Sequence, residues 1–288
     1  MDMRKFYVVT NKVKDPDFSF TYEIVNYLKG MGMECLCQDI DEDLKYTRYR
    51  YTNADKIPED VDCIIVLGGD GTLIQASRDL NKKNIPMLGV NIGTLGFLTD
   101  VDKDNIYDAL SCIIKKQYEI DSRMMLQGTV YRDGEMIYDN TALNDIVINR
   151  CGTLKVIDFE VYVNGEFLNA YSADGVIIAT ATGSTAYSLS AGGPIVQPNA
   201  EIMMITPICP HTLNKRSIIL SKNDTIEIVM SDNKGLKEER VASFDGELFC
   251  KMVTGDRIVI RRADAKADFI KTNKLSFLQL ISKKMNNN

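Results

Sequence analysis

The chain has 288 residues, 45% apolar and 26% charged, with a net charge of −6. That composition suits a soluble globular protein of one large or two ordinary domains, and it gives no sign of nucleic acid or an anionic membrane as a main partner. Seven cysteines, at 35, 37, 63, 112, 151, 209 and 250, are odd in number and contain no C-x-x-C pair. This excludes the common zinc motifs and predicts reduced thiols in a cytoplasmic protein. The stretch MDMRKFYVVT lacks the long apolar run of a signal peptide, and no segment reaches the roughly 18 apolar residues that span a bilayer.

In chain order, KFYVVT reads as a strand, and Phe20, Ile24 and Leu28 recur at helical spacing until Gly30 and Gly32 end the helix. CIIVLGG is a continuous apolar run, as in a strand buried on both faces. A helix over about Leu73–Lys83, the strand IPMLGVN and a glycine loop, NIGTLGF, follow. This rhythm predicts a parallel sheet with crossover helices. Ile106, Ala109, Leu110, Ile113 and Ile114 share one side of another helix, over 104–116.

Beyond this point short alternating runs take over: LQGTVY, IDFEVYVN, GVIIAT, TIEIVM, KMVTG and RIVIRR. The pairs Asp133-Gly134, Asn164-Gly165 and Asp245-Gly246 read as hairpin turns, and together these features predict an antiparallel β domain. In the final segment Leu275, Leu278 and Ile281 return to helical spacing. The expected fold is α/β: a Rossmann-like parallel-sheet domain over 1–118, an antiparallel β domain over 119–265, and a C-terminal helix over 266–285 that packs back.

The stretch VLGGDGT carries the first chemical signal. Gly68, Gly69 and Gly71 let backbone N–H groups approach an anion, and the following helix adds a positive dipole end. The spacing fits neither a P-loop nor G-x-G-x-x-G, since Ile74 holds the third glycine's place. Asp70, an acid beside a phosphate site, has three open roles: orienting and deprotonating an attacking hydroxyl, helping to hold Mg²⁺, or capping the next helix. The glycines before it and the second glycine loop favour the base.

ADGVIIATATGSTAYSLSAGGP, residues 173–194, collects neutral donors and acceptors around Tyr187, as suits a polar heterocycle or ribose more than a nucleophile. Asn144 and Asp145 interrupt an apolar strand pattern; they read either as a strand-end turn or as side chains that grip hydroxyls. The single histidine, His211, follows two nearby prolines and reads as part of a bend, and Asp245 reads as a turn residue.

GGDGT, NIGTLGFLT, ND, DGVIIATATGSTAYSLSAGGP and TPICPH, in this order, resemble the NAD kinases over residues 64–262. GGDGT alone is shared with diacylglycerol and sphingosine kinases, so TGSTAYSLSAGGP carries the resemblance. It implies transfer of the terminal phosphoryl group of ATP, or of polyphosphate, to the 2′-hydroxyl of the adenosine ribose of NAD. It also implies a divalent metal such as Mg²⁺, a site between two domains, and a homodimer or homotetramer.

By the same resemblance, Asp70 is the acceptor base, and Gly68, Gly69, Gly71 and Thr72 receive the donor phosphates. Asn144 and Asp145 hold the adenosine and ribose. Asp174 and Ala186 contact the nicotinamide amide, Thr182 and Thr185 reach the adenine, and Tyr187 and Ser190 line the same pocket. The chain departs from the family with Asp145 for glutamate, Ala181 and Ser217 for proline, and Ser172 where some members carry arginine. A diacylglycerol-type lipid kinase and a non-catalytic NAD(P) sensor are the alternatives.

Overall fold

A computed structural model describes residues 3–39, 52–93, 96–99, 101–152, 155–212, 215–231, 240–272 and 276–285. The chain forms two compact units, Met1–Arg123 with Ala265–Asn288, and Met124–Asp264. The first unit opens with β1 (Lys5–Thr10), α1 (Ser19–Gly30), β2 (Glu34–Cys37), β3 (Cys63–Gly68), α2 (Asp70–Asp79), β4 (Met87–Asn91), the short β5 (Val101–Asp102) and α3 (Ile106–Ile114). Its strands run parallel in the order β2-β1-β3-β4-β5. Phe20, Ile24 and Leu28 of α1 and Ile106, Leu110 and Ile113 of α3 join Phe6, Val8, Ile65, Leu67 and Val90 in one apolar cluster. Each such side chain contributes about 1.5–3 kcal/mol by leaving water.

Because β1, β3 and β4 are parallel, the loops after all three emerge at the same carboxyl edge of the sheet, where α/β sheets bind ligands. The loop after β1 is tightly held. Asn11 donates its N–H to the Leu67 carbonyl, and its own carbonyl accepts from Lys14 and Asp15. Asp15 is buried, and its carboxylate accepts from the N–H groups of Phe20 and Thr21 and from the Thr21 hydroxyl. It thus satisfies the first turn of α1, whose N-cap position, Phe18, makes no side-chain cap bond.

The second unit is built from β6 (Glu119–Arg132), β7 (Glu135–Ala142), β8 (Asp145–Arg150), β9 (Ile157–Val163), β10 (Glu166–Ala173), β11 (Gly175–Thr180), α4 (Tyr187–Ser190), β12 (Ile202–Ile208), β13 (Ile218–Ser221), β14 (Ile226–Met230), β15 (Arg240–Phe244), β16 (Leu248–Met252) and β17 (Arg257–Lys271). The ends of β6 and β17, Glu119–Arg123 and Ala265–Lys271, belong to the first unit. A six-stranded sheet of order β13-β12-β11-β8-β15-β16 packs against the strands β10-β9-β14-β17 through Ile146, Ile148, Val176, Ile178, Phe244, Phe159, Ile228 and Ile258. The Asp133-Gly134 and Asn164-Gly165 turns carry positive φ at both residues and close two-residue hairpins, as type I′ turns require.

β11 is apolar on both faces because Val176 and Ile178 enter this core, whereas Ile177 and Ala179 meet Met204, Ile208, Ala191 and Val196 on the other side. The segment after β11 therefore folds back over the outer face of the sheet.

The C-terminus departs from expectation. Residues 266–271, expected as the start of the last helix, are the end of β17, which pairs in parallel with β4 at Phe269 and Met87. The helix is α5 (Phe277–Met285), and its Leu278 is 74% exposed. Leu275 and the final three asparagines lie outside the described residues.

Candidate active site

In the first unit the GGDGT segment turns directly from β3 into α2. Gly69 is the N-cap position, with extended backbone and no side-chain cap bond, and Asp70 is the first helical residue. The capping role is therefore not the one Asp70 plays. Its carboxylate reaches into the second glycine loop. Oδ2 accepts from the Phe97 N–H at 2.5 Å, and Oδ1 accepts from the N–H groups of Leu98 and Thr99, each at 3.1 Å, and from the Thr99 hydroxyl at 3.2 Å. Among the described residues Oδ1 is saturated, while Oδ2, with one donor, keeps a lone pair for another partner.

Gly96 permits this arrangement. A Cβ there would stand 1.8 Å from Asp70 Oδ1 and 2.1 Å from its Cγ. Thr94 and Leu95 of the NIGTLGF segment lie outside the described residues.

The other residues expected at the donor phosphates differ among themselves. Gly68 packs against Thr72, whose Oγ1 would lie 2.3 Å from an added Cβ. Thr72 itself is buried, and its hydroxyl accepts from Asn11 Nδ2 at 3.0 Å. Its side chain thus braces the first loop. Gly71 is exposed, with open space where a Cβ would be.

One cation at this edge escaped the sequence reading. Lys14 Nζ donates to the Gly68 carbonyl at 3.2 Å and lies 3.0 Å and 2.8 Å from the places where Cβ atoms would stand on Gly69 and Gly93. The available signal was a lysine in the loop after the first strand of a parallel sheet.

The second unit brings the other two motifs together. The Thr180 hydroxyl donates to the Leu143 carbonyl at 2.7 Å, and the Thr180 N–H donates to that of Asn144 at 2.9 Å. A Cβ on Gly183 would meet the Asn144 carbonyl oxygen at 2.1 Å, so the TGST turn rests directly on the Asn144 backbone. Asp245 does more than turn the chain. Its carboxylate accepts from the N–H groups of Leu143, Asn144 and Asp145 at 2.9, 2.7 and 3.2 Å. Sequence reading missed this role because the partners lie about a hundred residues away.

Asp145 is 5% exposed. Burial first, and the neighbouring Asp245 second, raise its pKa to about 7. Below neutral pH it is largely a carboxylic acid, which both donates and accepts, and at pH 7 about half of it is in that form. The native state then binds a proton that the unfolded chain gives up near pH 4, so stability falls as pH rises from about 4 to about 7 and levels off above. Asp145→Asn removes this burden. The variant is expected to gain about 1–3 kcal/mol over the parent at pH 8, with the difference vanishing near pH 4, as thermal unfolding across pH will measure.

The Ser/Thr-rich cluster separates into fold and surface. Ser184 and Ser188 are fully buried. Ser184 Oγ donates to the Val196 carbonyl and accepts from its N–H, while Ser188 joins Thr206 and Ser217 in a hydroxyl chain. Ser217, where the family has proline, thus gains a partner. Thr182 is buried beside Ala181, and Thr185 bonds back to the Thr182 carbonyl at 3.4 Å. Ala186 is half-buried; Tyr187 and Ser190 are exposed. The Tyr187 phenol is pushed up by burial, then by the charges of Cys209, Asp145 and Asp174.

Asp174 pairs with Arg150 from the neighbouring strand at 2.7 Å. A positive charge therefore stands beside Asp174 although position 172 is serine, whose hydroxyl bonds Asp158. His211 is exposed and donates its backbone N–H to the Ser172 carbonyl, as a bend residue does.

A parallel α/β unit with two glycine loops at its carboxyl edge, and a β unit that gathers ND and TGSTAYS, define a nucleotide kinase architecture. The family model of the ATP-NAD kinase N-terminal domain matches residues 19–118, and that of the ATP-NAD kinase C-terminal domain matches 143–272. The NAD kinase of Lachnospira eligens is 55% identical, with 98% of this chain and all of the relative covered. That of Lachnoclostridium phytofermentans is 42% identical, over 98% of this chain and 99% of the relative. A yeast NADH kinase solved with NADH superposes with a TM-score of 0.86 at 25% identity, covering 100% of this chain and 89% of that one. An Archaeoglobus fulgidus NAD kinase solved with ATP gives 0.77 at 25% identity, covering 97% and 98%. The chain belongs to the NAD kinase family.

Proposed function

We propose that the protein transfers the terminal phosphoryl group of ATP to the 2′-hydroxyl of the adenosine ribose of NAD, giving NADP and ADP. Family membership supports the reaction. The observation that carries the chemistry is Asp70 Oδ2, which among the described residues has one donor and keeps a lone pair beside the glycine turn. The ribose 2′-oxygen forms its bond to the γ-phosphorus as the bond from that phosphorus to the bridging oxygen breaks. The electron pair leaves with ADP, and the hydroxyl proton passes to Asp70. Most of the acceleration is alignment, because the transition state is loose.

Asn144 and Asp145 are assigned to the adenosine and ribose, Asp174 and Ala186 to the nicotinamide amide, and Thr182, Thr185, Tyr187 and Ser190 to the adenine side. Buried Asp145, one methylene shorter than the family's glutamate, suits a ribose hydroxyl as a donor. The ligands of the yeast and archaeal relatives, NADH and ATP, favour the same two classes here. Among the described residues no group of three or more His, Cys, Asp and Glu side chains could hold a metal. A Mg²⁺ ion would therefore be held mainly by the donor's phosphates, with Asp70 as the protein ligand on offer, and would supply charge neutralisation there.

The seven free thiols, with buried Cys35 pushed up to about 12, suit a reducing cytoplasm. Among the described residues no helix is long and apolar enough to cross a membrane. A homodimer or homotetramer is the assembly that the resemblance to the family implies.

Incubation with NAD, ATP and Mg²⁺, followed by an NADP-specific assay, tests the activity; absence of NADP overturns it. Parallel incubations with diacylglycerol vesicles, and with polyphosphate as donor, test the lipid alternative and the donor. Tyr187→Ala is expected to raise the KM for NAD about tenfold or more while leaving that for ATP nearly unchanged, since a lost aromatic contact is worth roughly 1–3 kcal/mol. A rise in the KM for ATP instead would reverse the assignment of the two substrates.

A further inference from the structure

We propose that Lys14 holds the terminal phosphates of the donor: its ammonium, set over the GGDGT and NIG backbones, is the cation that replaces the lysine of a P-loop at this site. This rests on the NAD kinase reading and adds to it a residue outside the matched family segments, which begin at residue 19.

The loop that carries Lys14 is anchored at both sides of it. Asn11 bonds the Leu67 carbonyl and Thr72, and Asp15 is committed to the first turn of α1. The backbone N–H of Lys14 is itself bonded to the Asn11 carbonyl. From this base the side chain crosses to β3 and bonds the Gly68 carbonyl. Among the described residues no carboxylate lies within ion-pair range of Nζ, whereas Lys83 and Lys222 each have one and Lys5 has two. An ammonium has three donors, and the carbonyl uses one.

The two remaining donors belong to a charge poised beside glycines 69 and 93, where neither loop has a side chain to fill the space. The ligand chemistry that satisfies an unneutralised cation among backbone amides is a phosphoanhydride. Asp70 is turned away to the Phe97–Thr99 backbone, so the acid and the lysine do not compete for each other.

The test uses inorganic tripolyphosphate, which carries the phosphoanhydride without the nucleoside, and the variants Lys14→Met and Lys14→Arg. Lys14→Met is expected to raise the KM for ATP, and the inhibition constant of tripolyphosphate against ATP, by about 10- to 100-fold, with the KM for NAD within about threefold. Lys14→Arg should recover most of the loss. Without turnover, the rise in melting temperature produced by tripolyphosphate should vanish in Lys14→Met, while that produced by NAD persists. Unchanged ATP and tripolyphosphate constants in Lys14→Met overturn the proposal, and so does a loss confined to NAD. If Lys14→Met does not fold, Lys14→Arg with wild-type folding but no binding of tripolyphosphate also overturns it. A wild-type protein that is stabilised by tripolyphosphate but not by NAD instead contradicts the NAD kinase reading and leaves the phosphate site standing.

Discussion

Asp70→Asn is expected to lower kcat by about 10²- to 10⁴-fold while leaving NAD affinity within a few fold. Two losses combine. The amide cannot take the proton of the ribose hydroxyl, and it offers one acceptor atom where the carboxylate offered two. Whichever way it is flipped, its NH₂ group faces a backbone N–H, either that of Phe97 or those of Leu98 and Thr99. Bonds to a charged acceptor are worth about 1.5–3 kcal/mol each when formed, so part of that is lost from the loop and the melting temperature should fall by a few degrees. Steady-state kinetics, NAD-induced thermal shift and the melting temperature separate the two effects. Turnover near that of the parent would leave Asp70 with only its hold on the second glycine loop.

Gly96→Ala is expected to reduce kcat by about 100-fold although it removes no reactive group, because a catalytic atom displaced by about 1 Å loses that much. The new methyl group would stand 1.8 Å from Asp70 Oδ1. Asp70 has only a short side chain with which to escape, and swinging it aside breaks the bonds to Phe97, Leu98 and Thr99. Relief by moving the loop has the same result. The KM for NAD should change little, as Asn144, Asp145 and Tyr187 are untouched. A variant with full activity would show that the position of Asp70 is not critical. Together with Asp70→Asn it distinguishes the presence of the carboxylate from its placement.

Local pattern was sufficient wherever local forces decide. CIIVLG is buried throughout, and the helix over 106–114 buries the side that its spacing marks. Asp133-Gly134 and Asn164-Gly165 adopt the positive φ values their turns demand. Pattern failed where distant partners decide. EMIYDNTA is β7, yet its first three residues are exposed, so no alternation marks it as a strand. ADAKADFIK has a helical composition but finishes β17, because pairing with β4 overrides propensity.

The site divides in the same way. GGDGT, ND and TGSTAYS were readable as motifs, but the contacts that assemble them were not. Asp245 serves Leu143–Asp145 from a hundred residues away, and Asp70 serves Phe97–Thr99 from the start of α2. Lys14 sits in TNKVKDP, which has no glycine and no motif, and only the parallel alignment of β1 with β3 puts it beside Gly68. Ser184 and Ser188, lost among similar residues in the sequence, are distinguished only by their burial.

The double duty of Asp70 has a temporal side. Its bonds to the 97–99 backbone are strong because the acceptor is negative. On the proposed mechanism that charge vanishes for as long as the ribose proton rests on Oδ2. The second glycine loop is therefore gripped before the phosphoryl group moves and slackened just afterwards, until solvent takes the proton away: a latch whose timing is set by the reaction it serves.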